Sequence, residues 1–452
     1  MGHATTTTPA GDGGGGAGGE AAATAASYAA LQRRLDRMPT GAPDTAALRR
    51  ILRLLFSPEE AELAAQLPSL VSVRALARRL DRDRDELDAT LSSMARRGLV
   101  LDLEHRGQRW VALAPVVIGF FEFTFMRVRD DAPMTELAAL FHEYLFDDPE
   151  HRFAEAAFAG SVQLGRSLVR EEALPETPAS EVLDYERATA VVRDAATVAV
   201  SRCPCRSHAE LLGLACDAPQ RTCLTFGSAA EALVRADLAE EIGTDEGLAI
   251  LAEAKAAGLA QTADNVQREV SYLCNCCGCC CGMLQSIRTA GIDGAVVPSN
   301  WIAAGDLAAC RGCRSGCVEA CPTAAITRVD SEGRGRRRYW AEVDARRCIG
   351  CGVCVEACAF GVREMVPRDE RPFTPETGLE RMIAMAVERG KLGDLLVDTL
   401  PGAGPRAVAR LLSHLERAPR ATADRAVGPL RSVFLRGLLA TVRLGTARVG
   451  SP

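Results

Sequence analysis

From Asp44 onward the apolar residues recur at helical spacing, with Leu48, Ile51, Leu52 and Leu55 on one face. Ser57-Pro58-Glu59-Glu60 follows as an N-cap, a first-turn proline and a capping-box glutamate. Val73–Leu80 predicts a short helix. Arg84–Arg97 predicts a second, with Leu87, Leu91 and Met94 inward and Gly98 as its stop. The period then changes to two, and Leu99–Leu103 and Arg109–Leu113 read as strands around an Arg106-Gly107 turn. This order predicts a winged-helix-like domain over 45–128. The stretch 129–295 reads as a helical, cysteine-rich domain, with helices over Met134–Phe146, Asp184–Val200, Ala229–Ile242 and Asp245–Gly258. Ile326–Val329 and Tyr339–Val343 alternate as a hairpin across Ser331–Arg338. Residues 1–44 are rich in Gly, Ala and Thr without periodicity, which predicts disorder. Residues 369–452 read as a basic helical tail.

Composition bounds the partners. A chain of 452 residues exceeds one hydrophobic core, and 48% hydrophobic with 25% charged residues is globular. A net charge of −6 argues against a wholesale nucleic-acid binder. The helix that would enter a DNA groove starts among Asp81, Asp83, Asp85, Glu86 and Asp88, which would face phosphates. Scaffolding or partner docking suits that domain better. Toward the C-terminus, Gly428–Leu444 mixes Leu430, Val433, Phe434, Leu438 and Val442 with Arg431, Arg436 and Arg443. Such a helix suits an acidic partner or a membrane surface, or packs on its own domain with a solvated arginine face. The apolar run Val111–Met126 contains Pro115 and Glu122 and is too short to span a bilayer, so no integral membrane segment is expected. With no secretory signal at the N-terminus, a cytoplasmic location is expected.

The 18 cysteines sharpen the picture, because none precedes Cys203 and none follows Cys358. Adjacent pairs such as Cys276-Cys277 make poor disulfides, so thiolate ligands in a reducing compartment fit better. Two copies of one pattern stand in tandem, Cys310-x2-Cys313-x3-Cys317-x3-Cys321-Pro322 and Cys348-x2-Cys351-x2-Cys354-x3-Cys358. A [4Fe–4S] cube needs four thiolates converging from different directions, and one tight loop supplies three of them. A module is expected over 296–368, and across roughly 300–366 of it the chain resembles the bacterial two-cluster ferredoxins. The resemblance implies one cluster on Cys310, Cys313, Cys317 and Cys358, and another on Cys348, Cys351, Cys354 and Cys321. Two departures stand out: an extra residue in Arg314-Ser315-Gly316, which loosens the first loop, and Ala359 where the second copy would carry proline. Zinc on the same cysteines is the competing reading, though zinc sites do not usually show this crossed repeat.

Ten further thiols lie upstream: Cys203, Cys205, Cys216 and Cys223, then Cys274, Cys276, Cys277, Cys279, Cys280 and Cys281. The first four have a spacing that can enclose one tetrahedral metal or one cluster. The six dense cysteines cannot all face one cube, since adjacent side chains diverge. Cys276-Cys277-Gly278 and Cys280-Cys281-Gly282 are similar to the catalytic cysteine motifs of heterodisulfide reductases. The flanking order differs, so no ligand is carried over. Arg206 and His208 are placed to tune potential or donate hydrogen bonds to sulfur. The whole arrangement, with Cys203-Pro204-Cys205-Arg206, Cys223 to Gly227, Asn265 and Cys274 to Gly282, resembles a group of bacterial and archaeal [4Fe–4S]-binding proteins. That resemblance implies iron–sulfur binding and suggests electron transfer, but supplies no settled substrate.

The expected fold is therefore a multidomain, mostly helical α+β chain ending in a ferredoxin-type two-cluster module and a basic tail. Two [4Fe–4S] clusters are expected, with thiols for one or more further iron–sulfur centres. No glycine-rich nucleotide or flavin fingerprint follows a strand; Gly13–Gly19 is low complexity. The leading function is electron transfer with a partner oxidoreductase. The alternatives are a reductase with its own cysteine-rich site and a redox-sensing DNA-binding regulator. Catalytic residues are not assigned.

Overall fold

The structure is a computed structural model, and it describes residues 16–130, 132–148, 152–158, 160–174, 183–313, 316–330 and 339–399. The disorder expected through residue 44 is corrected: Gly16–Asp36 form helix α1, packed on α3 (Pro58–Ala65). Alanine-rich sequence is a strong helix former, and Tyr28, Leu31 and Leu35 supply a buried stripe. Between them α2 (Ala46–Leu55) starts at Thr45, whose hydroxyl accepts from the Leu48 amide, and buries Leu48, Ile51, Leu52 and Leu55. The Ser57/Glu60 capping box at α3 is complete.

Next come β1 (Val71–Ser72), α4 (Val73–Leu80) and α5 (Arg84–Arg96). The strands β2 (Val100–His105) and β3 (Gln108–Leu113) form a hairpin, in a three-stranded sheet of order β1-β3-β2. Asp83 caps α5 by accepting from the Asp85 and Glu86 amides. The chain then passes through α6 (Phe121–Phe125), α7 (Met134–His142) and α8 (Phe153–Phe158), whose Phe121, Phe125 and Phe141 rings meet edge to face.

The region expected to be a helical cysteine-rich domain is instead built on a six-stranded antiparallel sheet. Its strands are β4 (Gly165–Ser167), β5 (Val198–Arg202), β6 (Arg221–Phe226), β7 (Glu240–Ile242), β8 (Ala260–Asp264) and β9 (Tyr272–Cys276), in the order β4-β8-β9-β6-β5-β7. Strands β5, β6 and β8 are buried almost throughout. A strand covered on both faces loses its alternation in sequence, so Ala/Val-rich segments imitate helix. The span Asp184–Val200 holds a short 3-10 turn at Asp184–Glu186 and α9 (Ala188–Asp194) before β5, and the expected helix Ala229–Ile242 divides into α11 (Gly227–Arg235) and the exposed edge strand β7. Helices α10 (Pro204–Leu211), α12 (Thr244–Ala256) and α13 (Gly282–Arg288) complete this part.

Toward the C-terminus, β10 (Trp301–Gly305) pairs with β13 (Arg363–Pro367). Strand β11 (Ile326–Asp330) pairs with β12 (Tyr339–Val343) in the register Ile326↔Val343. The short helices α14 (Cys317–Ala320) and α15 (Val353–Glu356) lie between, and α16 (Gly378–Glu388) and α17 (Leu392–Thr399) follow. Asp398 of α17 pairs with buried Arg34 of α1 at 3.1 Å. The basic stretch Gly428–Leu444 lies outside the described residues. Among the described residues no helix is long and apolar enough to cross a membrane.

One arginine joins the cysteine-bearing halves. The Arg170 amide donates to the Cys351 carbonyl at 3.1 Å, and its guanidinium, 1% exposed, reaches Glu356 and the Lys255 and Leu259 carbonyls. Arg170→Met keeps the stem but leaves the buried Leu259 carbonyl, the Lys255 carbonyl and Glu356 without their donor, so about 3 kcal/mol of stability is expected to be lost. The check is the denaturant midpoint at unchanged iron content; an unmoved midpoint contradicts the assigned role.

Candidate functional site

In the ferredoxin-type region the chain must curl tightly enough to aim successive thiols inward. Gly312 and Gly350, the equivalent glycines of the two Cys-x2-Cys turns, adopt φ of +56° and +70°. A side chain at Gly312 would enter the Tyr339 backbone, and one at Gly350 would meet the Trp301 carbonyl. Cys321, just past α14, is buried and accepts from the Ala325 amide at 3.2 Å. It shares a small cavity with Cys348, Cys351 and Cys354. Burial pushes the Cys351 thiol up to about 12, with the nearby Cys321 and Cys348 thiolates adding to it. The fourth cysteine of the first run thus lies with the first three of the second.

The reciprocal relation holds at the other end. Burial raises Cys317, Arg363 opposes the rise, and Cys358 and Cys313 crowd it. At Cys358 burial is outweighed by the Phe360, Val362 and Arg363 amides, which hold the thiol below its ordinary value. Cys310, half-buried, packs on the same core as Cys317. Arg314 and Ser315, the site of the extra residue, lie outside the described residues. These converging thiols, buried or half-buried, form a donor set that a cationic cluster fits.

The ten upstream cysteines divide differently from their order in sequence. On β9, Cys274 and Cys276 are two apart and share a face of the strand. Cys203 caps α10, Cys205 lies in its first turn, Cys223 is on β6 and Cys281 caps α13. Thiol contacts run from Cys203 through Cys205, Cys281, Cys276 and Cys274 to Cys223. The other four form a separate knot: the Sγ atoms of Cys216, Cys277, Cys279 and Cys280 all lie within 4.8 Å of one another. Cys216 therefore leaves Cys203, Cys205 and Cys223, with which its spacing grouped it.

Fully buried Arg206 stands between the two sets. It donates to the Asn275 carbonyl at 3.1 Å, to Cys277 Sγ at 3.8 Å and to the Thr222 hydroxyl. Burial works against its charge, but Cys203 and Cys277 more than offset this and hold the guanidinium ionised. The Cys280 contact, against the opposing effect of burial, and Arg206 together bring Cys277 down to about 4. His208 does not meet sulfur: its Nε2 lies 2.9 Å from the Ala138 carbonyl oxygen, and its ring packs against Phe121 and Phe125. Burial lowers it to about 4. The Asn265 amide donates to the Gln163 carbonyl at 3.0 Å, a packing role.

The six-thiol set borders a cavity of about 500 Å³ walled by Phe121, Phe123, Met126 and Met283. Glu122 also lines it, accepting from the Gly119 amide at 2.8 Å, and burial pushes its carboxyl up to about 7. Sequence reasoning missed Glu122 as a functional group. The signal is present in the sequence as a lone carboxylate inside the apolar run Val111–Met126.

The cysteine-dense turn touches the ferredoxin-type region directly. A Cβ on Gly278 would lie 2.9 Å from the Pro322 carbonyl carbon, and Pro322 follows Cys321.

Residues 309–362 match the 4Fe-4S dicluster domain family. The chain is also similar to the "Thiosulfate reductase electron transfer subunit PhsB" of Salmonella typhi, 43% identical over 75 residues. That match covers 16% of this chain and 35% of the relative, so the chain spans about a third of that protein. No solved structure matches it.

Gly278→Ala drives a methyl into the Pro322 backbone and is expected to cost about 1–3 kcal/mol. Gly282→Ala, whose added atom meets only Phe146 at 4.0 Å, is the matched control. Thermal denaturation of both variants checks this, and equal melting temperatures contradict the close approach.

Proposed function

We propose that this chain is an iron–sulfur electron-transfer protein with two [4Fe–4S] clusters in its ferredoxin-type module. The observation that carries the reading is the crossed placement, with Cys321 beside Cys348, Cys351 and Cys354, and Cys358 beside Cys317. One cluster is assigned to Cys310, Cys313, Cys317 and Cys358, and the other to Cys348, Cys351, Cys354 and Cys321. Such clusters store and pass single electrons. The named relative is an electron transfer subunit, which supports a separate oxidoreductase as the partner. Its substrate is not carried over to this chain.

The helices α3 to α5 and the β2–β3 hairpin are read as a winged helix over 45–128. The acidic start of α5 favours protein docking over DNA. Residues 129–295, 296–368 and 369–452 are read as the cysteine-rich, ferredoxin and C-terminal units.

A second reading, a reductase fed by the module, is favoured by the cavity itself. It places seven cysteines, Arg206 and a carboxyl titrating near neutrality around one cavity. Glu122 would serve there as a proton donor and Arg206 as a fixed cation.

Anaerobic reconstitution with iron and sulfide counting tests the crossed assignment. Cys321→Ser and Cys351→Ser are expected to remove the same cluster, and Cys358→Ser and Cys317→Ser the other, each loss being about half of the module's iron. Pairing of Cys321 with Cys317 instead would overturn it.

Glu122 gives a pH signature. Its folded pKa near 7 exceeds the ordinary 4.5, so the folded state holds the extra proton in that window. Stability is therefore expected to fall as pH rises from about 5 to 8, by up to about 3 kcal/mol. Glu122→Gln should flatten that slope in pH-dependent denaturation; an unchanged slope places the group elsewhere.

A further inference from the structure

We propose that Cys216, Cys277, Cys279 and Cys280 bind one tetrahedral thiophilic divalent cation, not a cubane. The pair distances decide this. Cys216 and Cys277 lie 3.7 Å apart, Cys279 and Cys280 3.7 Å, and Cys280 and Cys216 3.9 Å. Four sulfurs at about 2.3 Å from one ion sit at the corners of a tetrahedron with edges of about 3.8 Å. A [4Fe–4S] cube gives each thiolate its own iron and spreads the sulfurs more widely. The observed knot has the size of a single ion's shell.

The setting is a built site. Gly278 separates Cys277 from the Cys279-Cys280 pair, so the turn presents three thiols, and the loop after α10 closes it with Cys216. A divalent ion with four thiolates carries a net charge of −2. Buried Arg206, donating to Cys277 Sγ at 3.8 Å, lies where it offsets part of that charge. Its Nε has no hydrogen-bond partner, and no carboxylate is paired with it among the described residues. Among the described residues the one ionisable side chain it donates to is that of Cys277.

Position gives the site its meaning. Cys277 lines the cavity while neighbouring Gly278 meets Pro322 beside Cys321, so the ion stands between the ferredoxin-type module and the cavity. Zinc there would be a closed structural clamp, and iron would be a one-electron centre. Tetrathiolate chemistry is common to both. The inference does not depend on the cluster assignment in the module, whose failure would appear as a changed module iron count in the unsubstituted protein.

The test is quantification of zinc, iron and acid-labile sulfide in the full chain purified anaerobically, with and without Cys216→Ser combined with Cys279→Ser. The unsubstituted protein is expected to hold one metal equivalent without matching sulfide. For zinc, X-ray absorption should show four sulfurs at about 2.3 Å. For iron, Mössbauer spectra should show a high-spin tetrathiolate component apart from the clusters. The double variant should lose that one equivalent and keep the module's iron and sulfide. Loss of about four irons with four sulfides, or of no metal, would overturn the proposal. So would unsubstituted protein without zinc whose sulfide equals its iron, a result that does not depend on the variant folding.

Discussion

Ionised thiols packed against one another repel, and buried thiols resist ionising; both effects strengthen as water is removed. The cysteine-bearing part of this chain is organised around that conflict. Four sulfurs lie within 4.8 Å of one another, six more touch in a row beside them, and a fully buried arginine stands between the sets. Such a charge is costly to bury without an anion, and here the anions on offer are thiolates. The polar cross-strand contacts follow from the same need. The Asn275 amide donates to the Thr222 carbonyl at 2.9 Å, and Gln261 donates to Asn275 at 3.1 Å, fixing the strands that carry Cys223, Cys274 and Cys276.

The two cysteine-rich regions are tied together rather than strung along a linker. Arg170 reaches from the loop after β4 into the Cys351 turn. Arg347 donates to the Ile287 carbonyl at 2.9 Å. At Gly278 the absence of a side chain lets the dense turn rest against Pro322. Electron transfer weakens with separation, so a fold that sets the turn against the residue following Cys321 shortens the path on which an inward relay would depend.

Much of this was legible from spacing. The tandem cysteine runs defined the module, and the period change near Gly98 marked the α5 to β2–β3 transition where the structure has it. What escaped had physical causes. Strand β5 is covered on both faces, so its sequence lacks alternation and its first residues read as the end of a helix. The N-terminal alanines looked like low complexity, yet Tyr28, Leu31 and Leu35 are enough to anchor α1. Cys216 was grouped by proximity in sequence, whereas the loop after α10 carries it to the turn between β9 and α13. His208 looked like a sulfur partner because it follows Arg206 by two positions. On a helix that offset points it to another face, among phenylalanines.

The central claim is that the module holds two clusters close enough to act together. Potentiometric titration of the full chain under electron paramagnetic resonance tests it most directly. The account predicts two one-electron reductions, each producing a cubane S = 1/2 signal, with broadening by spin coupling once both are reduced. A single isolated cluster signal, or no paramagnetic reduced state, would contradict it.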